Sequence, residues 1–82
     1  MNGKHQKTLD AVMSKPVPKA LPYRDIKSLL IGIGCDFEER EGSRVCFSML
    51  PHAVSMHKPH PGKEVKEYQI KEIKTFLEKI GY

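Results

Sequence analysis

The sequence predicts a small α+β protein in which helices cover one face of a three-stranded antiparallel sheet. Three observations predict this class. Apolar residues recur at helical spacing in three segments, apolar and polar residues alternate in residues 35–58, and the chain of 82 residues has the length of one domain. The predicted order is therefore helix, helix, three strands and helix, with no internal repeat.

The first predicted helix spans residues 4–14. Its sequence KHQKTLDAVMS places Leu9, Val12 and Met13 on one face. Pro16 ends this helix, because the proline ring cannot continue one. The next segment, KPVPKALP, is rich in proline and is therefore expected to be an extended and fairly stiff connector.

The second helix is predicted over residues 22–33. Pro22 suits the first helical turn, and Asp25 complements the positive N-terminal end of the helix dipole. Gly32 and Gly34 close the helix. Its apolar stripe consists of Ile26, Leu29, Leu30 and Ile33.

Three strands follow, joined by a turn at Glu41-Gly42 and by Leu50-Pro51. If the apolar residues of the last two strands face the helices, their neighbours face away, because consecutive strand residues point to opposite sides of a sheet. The predicted inward residues are Val45, Phe47, Val54 and Met56, and the predicted outward residues are Arg44, Ser48, Ser55 and His57.

Residues 59–64, PHPGKE, are predicted to form a loop, because prolines and glycine disfavour regular structure. The last helix is predicted to begin at Tyr68 or Gln69 and to end near Gly81, a residue type suited to a C-cap. Its apolar stripe consists of Ile70, Ile73, Phe76, Leu77 and Ile80.

Five side chains on the outward face and the following loop have the chemistry of phosphodiester binding and cleavage. A guanidinium binds phosphate through two parallel hydrogen bonds, lysine adds positive charge, and histidine transfers protons near neutral pH. RNA cleavage without a metal requires a base for the 2′-OH, an acid for the leaving oxygen and a cation for the developing charge. The five residues are Arg44, His57, Lys58, His60 and Lys63.

Catalytic, metal-binding or disulfide roles for the other histidines and the two cysteines are less favoured. His5 and His52 are expected to be solvated surface residues, and the spacing of His52, His57 and His60 matches no common zinc signature. Cys35 and Cys46 are expected to be reduced thiols, because small secreted scaffolds usually contain more cysteines.

The composition favours a cytoplasmic protein with an anionic partner. The N-terminus lacks the apolar centre of a secretory signal, and no apolar run is long enough to cross a bilayer. The formal net charge of +4 favours nucleic acid or an acidic protein as the partner.

The segments YRDIKSLLIGIG, GSRVCF and KPHPGKEVKEYQIKEIKTFLEKIGY together resemble the HicA family, the toxin components of bacterial toxin–antitoxin pairs. The family pattern has a helix ending in Leu-x-x-x-Gly, a strand beginning Gly-Ser-His, a loop with Pro and His before Gly-Lys-Glu, and a last helix ending near Gly. The resemblance covers residues 21–82. It implies a fold like that of a double-stranded-RNA-binding domain, cleavage of messenger RNA without a metal or other cofactor, and a HicB-type antitoxin as partner.

One position departs from the family pattern. The family's catalytic histidine follows Gly-Ser, and Arg44 occupies that position here. Arginine cannot lose its proton in a protein, so it cannot act as the general base. Three hypotheses remain: Arg44 holds the phosphate while His57 transfers protons, His60 takes that role, or the protein binds RNA or a partner without cleavage. The expected RNA contacts are Ser43, Lys58 and Lys63.

Residues 1–20, the N-terminal helix and proline-rich connector, lie outside the short family core. They resemble the extension of a variant branch that also carries Arg after Gly-Ser, which implies a functional subtype. The apolar face formed by Leu9, Val12 and Met13 is then expected to pack on the domain, or to form a dimer or antitoxin contact.

Overall fold

The computed structural model describes residues 2–82. Its helices are α1 (Gly3–Val12), α2 (Tyr23–Gly32) and α3 (Glu67–Lys79), and its strands are β1 (Ala20–Pro22), β2 (Asp36–Arg40), β3 (Arg44–Met49), β4 (His52–His57) and β5 (Glu64–Lys66). The main sheet is antiparallel in the order β2-β3-β4. The predicted α+β class, the order of the long elements and the three-stranded sheet are confirmed.

The main sheet has one apolar and one polar face, as the alternation predicted. Phe47 lies opposite Phe37 on one side and Val54 on the other, and the two phenylalanine ring centroids are 5.1 Å apart. Val45 and Met56 are also paired and buried. The stripes of α2 and α3 pack on this face, because both helices have buried residues in the same core.

Helix α1 joins that core. Val12 is fully buried, Val17 of the connector is buried as well, and Leu9 and Met13 pack against the core. The apolar face of α1 therefore packs on the rest of the chain. The division into a segment of residues 1–20 and a domain of residues 21–82 stays a prediction.

Polar contacts also attach α1 to α2. His5 Nε2 lies 2.7 Å from Ser28 Oγ. The half-buried His5 ring packs against Gly32, and any larger residue at position 32 would place its Cβ only 2.5 Å from His5 Cε1. Lys4 Nζ lies 3.4 Å from a carboxylate oxygen of Asp25. The expectation that His5 is a solvated surface residue is therefore wrong.

A second, two-stranded sheet was not predicted. Strands β1 and β5 pair antiparallel, with Leu21 opposite Val65. Helix α3 consequently begins at Glu67, slightly earlier than predicted, directly after β5. Each strand has only three residues, so neither has enough length for an alternation to be recognised. The pairing joins the start of α2 to the start of α3 and holds in place the end of the loop that leads into β5.

Both cysteines, Cys35 and Cys46, are free thiols and buried. Burial, and to a lesser extent the nearby Asp36 carboxylate, raises the pKa of Cys35 above its ordinary value. Cys35 therefore stays a neutral thiol at physiological pH. Across residues 2–82, no helix has both the length and the apolar composition that a membrane crossing requires.

Candidate functional site

A left-handed turn leads into the strand that carries Arg44. Gly42 has φ 70° and Ser43 has φ 63°, a backbone conformation that is uncommon for serine and natural for glycine. The Ser43 carbonyl oxygen accepts a hydrogen bond of 2.7 Å from the backbone N–H of Lys58. This bond joins the start of β3 to the end of β4 and so holds Arg44 beside the last residue of β4.

Arg44 and His57 are directly opposite each other on β3 and β4. Directly opposite residues share a face of the sheet, with Cβ atoms about 4.5–5.5 Å apart. Both side chains are exposed. The structure therefore brings together a guanidinium and an imidazole on the outward face, as strand alternation predicted.

Arg44 is available for an anion. Its Nη2 lies 3.5 Å from Ser55 Oγ, at the limit for a hydrogen bond, and within residues 2–82 no carboxylate oxygen lies within 4.0 Å of its guanidinium. Arg40, which lies opposite Arg44 on β2, is instead paired with Glu38, and that hydrogen bond raises the pKa of Arg40. Of these two neighbouring arginines, Arg44 is the better phosphate ligand.

Two pockets flank the loop of residues 58–63. One, here called the His57 pocket, has a volume of about 450 Å³ and is lined by His57, Lys58, Pro59, His60, Lys63, Glu64, Lys66, Tyr68 and Gln69. The other, here called the Tyr23 pocket, has a volume of about 490 Å³ and lies between the same loop and Pro22, Tyr23 and Arg24. The loop therefore presents its cationic residues to both sides.

The structure gathers four of the six predicted site residues in the His57 pocket: His57, Lys58, His60 and Lys63. Arg44 lies next to His57 on the sheet but does not line the pocket. Ser43 lines neither pocket and contacts Lys58 through its backbone. The predicted residues therefore form a continuous surface with two parts, the end of the sheet and the loop.

Lys58 and Lys63 differ in their electrostatic surroundings. Lys58 Nζ lies 3.9 Å from Glu39 Oε2, a loose and exposed ion pair. Lys63 has no carboxylate oxygen within 4.0 Å in the part of the chain that the structure describes. Lys63 is therefore free to bind a phosphate, and Lys58 must first give up a weak partner.

Gln69 is a site residue that the sequence did not reveal. It is buried, its Nε2 donates a hydrogen bond of 3.2 Å to the His57 carbonyl oxygen, and its Oε1 accepts one of 3.0 Å from the Lys66 N–H. One side chain thus joins the end of β4 to the start of α3 across the pocket. A Gln at the third helical position forms half of a capping box, in which the residue before the helix is usually Ser or Thr. Lys66 occupies that preceding position here, so the sequence does not show the capping-box signature.

Gln69→Leu is expected to lower the stability of the protein. It removes both hydrogen bonds and leaves two backbone groups unpaired, at a cost of about 1–3 kcal/mol for each group that stays buried. For a domain of this size we expect the melting temperature to fall by at least ~4 °C. Thermal unfolding followed by circular dichroism measures this change.

Glu72→Leu is the matched control, because it introduces leucine at an exposed position of the same helix, outside the bridge. Its melting temperature should lie close to that of the wild type. If Gln69→Leu unfolds at the wild-type temperature, the bridge contributes nothing to the stability of the loop.

Tyr23 is not suited to acid–base chemistry, although it lines a pocket. Its hydroxyl oxygen is buried and has no hydrogen-bond partner within residues 2–82. Burial, followed by the Glu39 carboxylate, raises the pKa of Tyr23 above its ordinary value. The phenol therefore stays protonated at neutral pH and cannot serve as a general base.

His52 lies on the same strand as His57 but apart from this site. His52 is at the other end of β4, opposite Met49, and lines neither pocket beside the loop. Within residues 2–82 no group of three or more His, Cys, Asp and Glu side chains is arranged to hold a metal ion. The side chains gathered at this surface are suited to anion binding by cations and to proton transfer by imidazoles.

Comparison with known proteins identifies the family. Residues 23–82 match the family model described as the HicA toxin of bacterial toxin–antitoxin systems. No curated protein and no solved structure matches the chain. The matched region includes the main sheet, the loop and both helices α2 and α3, so it contains all six predicted site residues and Gln69. The chain belongs to the HicA family of toxins of bacterial toxin–antitoxin systems.

Proposed function

We propose that this protein is the toxin of a type II toxin–antitoxin pair and acts in the cytoplasm as a metal-independent endoribonuclease on messenger RNA. The observation that carries the proposal is the pairing of Arg44, a cation without a carboxylate partner in the described chain, with His57 directly opposite. His60 and two lysines lie at the adjoining pocket. The surface thus combines phosphate binding with proton transfer.

In the proposed reaction, the ribose 2′-oxygen attacks the adjacent phosphorus while its proton passes to an imidazole. The P–O5′ bond breaks, and the leaving oxygen takes a proton from a second donor. The products are a 2′,3′-cyclic phosphate and a free 5′-OH, and no water or metal is consumed in this step. His57 and His60 share the two proton transfers, because imidazole is the side chain suited to accept and donate protons near neutral pH.

Arg44 has an electrostatic role in this reaction. Its guanidinium binds the non-bridging phosphate oxygens and stabilises the negative charge that accumulates on them as the 2′-oxygen adds. Lys58, Lys63 and the exposed Ser43 hydroxyl contact the neighbouring phosphates. The sequence difference from the family pattern therefore separates two tasks: Arg44 binds charge and His57 moves the proton.

The partner that controls this activity is a HicB-like antitoxin. An inhibitor that covers the outward face must compensate Arg44 and the loop lysines, so we expect it to present carboxylates there. Arg44→Glu should accordingly weaken the complex with the antitoxin. This change is measured by isothermal titration calorimetry with the purified pair.

The test of catalysis uses a labelled single-stranded RNA in EDTA with wild-type protein purified away from antitoxin. Cleavage that yields 2′,3′-cyclic phosphate ends is the expected result. Arg44→Ala should cleave about 100-fold to 1,000-fold more slowly, the usual effect of removing a group that stabilises transition-state charge. Arg44→Lys should retain part of the rate, because it keeps the charge and loses the bidentate geometry.

A second candidate function is a non-catalytic RNA-binding or antitoxin-partner module of the same fold. The observation that favours it is the identity of Arg44 itself, since this position holds the catalytic histidine in the family pattern that the sequence otherwise resembles. Folded wild-type protein that binds RNA in a salt-dependent manner without cleaving it would establish this function in place of the first.

A further inference from the structure

Tyr68 is an exposed aromatic residue in the first turn of α3. Its exposed fraction is 61%, and its side chain lines the His57 pocket. Within residues 2–82, no aromatic ring stacks on it and no cation lies over it, whereas the rings of Phe37 and Phe47 pack on each other. The face of the Tyr68 ring is therefore open to a ligand that enters the pocket.

The same pocket is positively charged. Lys58, Lys63 and Lys66 line it together with a single carboxylate, that of Glu64. In the described part of the chain, neither Lys63 nor Lys66 has a carboxylate oxygen within 4.0 Å of its ammonium, whereas the nearby Lys71 is paired with Glu67 at 3.3 Å. Two of the three lysines are thus free to bind anions at the edge of the pocket.

An open aromatic face in the same pocket as unpaired lysines matches the chemistry of a single-stranded nucleotide. The base needs a flat apolar surface, and every base can stack on it, while the phosphates on both sides need cations. The residues that line the pocket are mainly charged or polar, so a protein segment would find few places there for an apolar side-chain anchor.

We propose that Tyr68 is a stacking platform for one base of single-stranded RNA, and that Lys63 and Lys66 bind the phosphates on either side of that base. The inference rests on the proposed function and extends it by assigning a subsite for a nucleotide next to the cleaved bond. His57 and His60 line the same pocket, so a base on Tyr68 places the adjoining phosphodiester within reach of the imidazoles. Tyr68 acts in binding and positioning and takes no part in proton transfer.

The experiment measures the affinity of a short single-stranded RNA whose 2′-oxygens are methylated, so that it binds without being cleaved. Tyr68→Ala should weaken binding about 5-fold to 100-fold, the range expected for the loss of one base–aromatic stack. Tyr68→Phe should bind like the wild type. Tyr82→Ala is the matched control, because Tyr82 is also an exposed tyrosine but lines neither pocket of the loop.

An abasic series distinguishes stacking from a general change of the surface. A single abasic nucleotide is moved along the RNA, and at one position it should weaken binding to the wild type but not to Tyr68→Ala. Lys63→Ala and Lys66→Ala should each reduce the slope of log affinity against log salt by about 0.7. Since Tyr68, Lys63 and Lys66 are exposed, these variants are expected to unfold at the wild-type temperature.

The possible failures are distinguishable. If the wild type neither binds nor cleaves RNA, the proposed function and the subsite both fall. Suppose instead that the wild type binds RNA, that Tyr68→Ala binds the intact RNA with the same affinity, and that each abasic nucleotide weakens both proteins equally. The subsite alone is then wrong. Unchanged RNA affinity together with weaker antitoxin binding by Tyr68→Ala would assign the ring to a protein interface and would also overturn the proposal.

Discussion

His57→Ala is expected to reduce the rate of RNA cleavage by about 100-fold to 10,000-fold, the usual contribution of a general acid or base. The substitution removes the imidazole that lies opposite Arg44 and lines the pocket beside the loop. Because His57 is exposed at the end of β4, the loss should come from chemistry and leave the fold intact. Single-turnover cleavage of labelled RNA in EDTA measures the rate.

His52→Ala is the matched control for this prediction. It removes a histidine from the other end of the same strand, away from both pockets that flank the loop, and should cleave at the wild-type rate. RNA affinity, measured on an uncleavable RNA, should be nearly the same for all three proteins. A loss of rate without a loss of affinity identifies a group that acts in the transition state.

His60→Ala decides between the two histidines. If His57 and His60 share the proton transfers, each single variant should lose most of the activity, and the double variant should be little worse than either, because groups that act as a unit are not additive. Full activity in His60→Ala would assign both transfers to His57 and to groups outside the loop. Full activity in His57→Ala would exclude the pairing of Arg44 and His57 as the source of catalysis.

The main sheet and its outward face were predictable because strand alternation is a local property of the sequence. Val45, Phe47, Val54 and Met56 occur at alternate positions, so the sequence alone assigned Arg44 and His57 to one face. The structure adds that these two residues are direct partners in the register. That relation depends on the length and conformation of the connection at Leu50-Pro51, which alternation does not determine.

The features that the sequence did not reveal all depend on contacts between distant segments. Strands β1 and β5 pair although more than forty residues separate them, and neither is long enough to show a period. Gln69 is buried because it contacts the His57 carbonyl, and Tyr68 is prominent because the loop forms a pocket beside it. Residue type at a single position carries no information about such neighbours, so these parts of the site required the three-dimensional arrangement.

Phe47→Ala is expected to lower the free energy of unfolding by about 3–5 kcal/mol, the usual cost of removing a buried aromatic side chain. Phe47 is fully buried on the central strand and contacts Phe37, Val54 and the helices through the common core. A domain of this length has a total stability of roughly 4–12 kcal/mol, so the variant loses a large part of it. Urea denaturation followed by circular dichroism measures the difference.

Phe37→Ala provides the comparison within the same pair of rings. Phe37 is only half-buried on the edge strand β2, where solvent and neighbouring side chains can fill part of the space, so its loss should cost less than that of Phe47. Equal denaturation midpoints for Phe47→Ala and the wild type would contradict the core described here. Phe47→Ala also helps to interpret the activity assays. It is expected to lose cleavage because it unfolds, whereas His57→Ala is expected to lose cleavage because it lacks an imidazole. Only a variant with a wild-type denaturation curve therefore reports on the chemistry of the site.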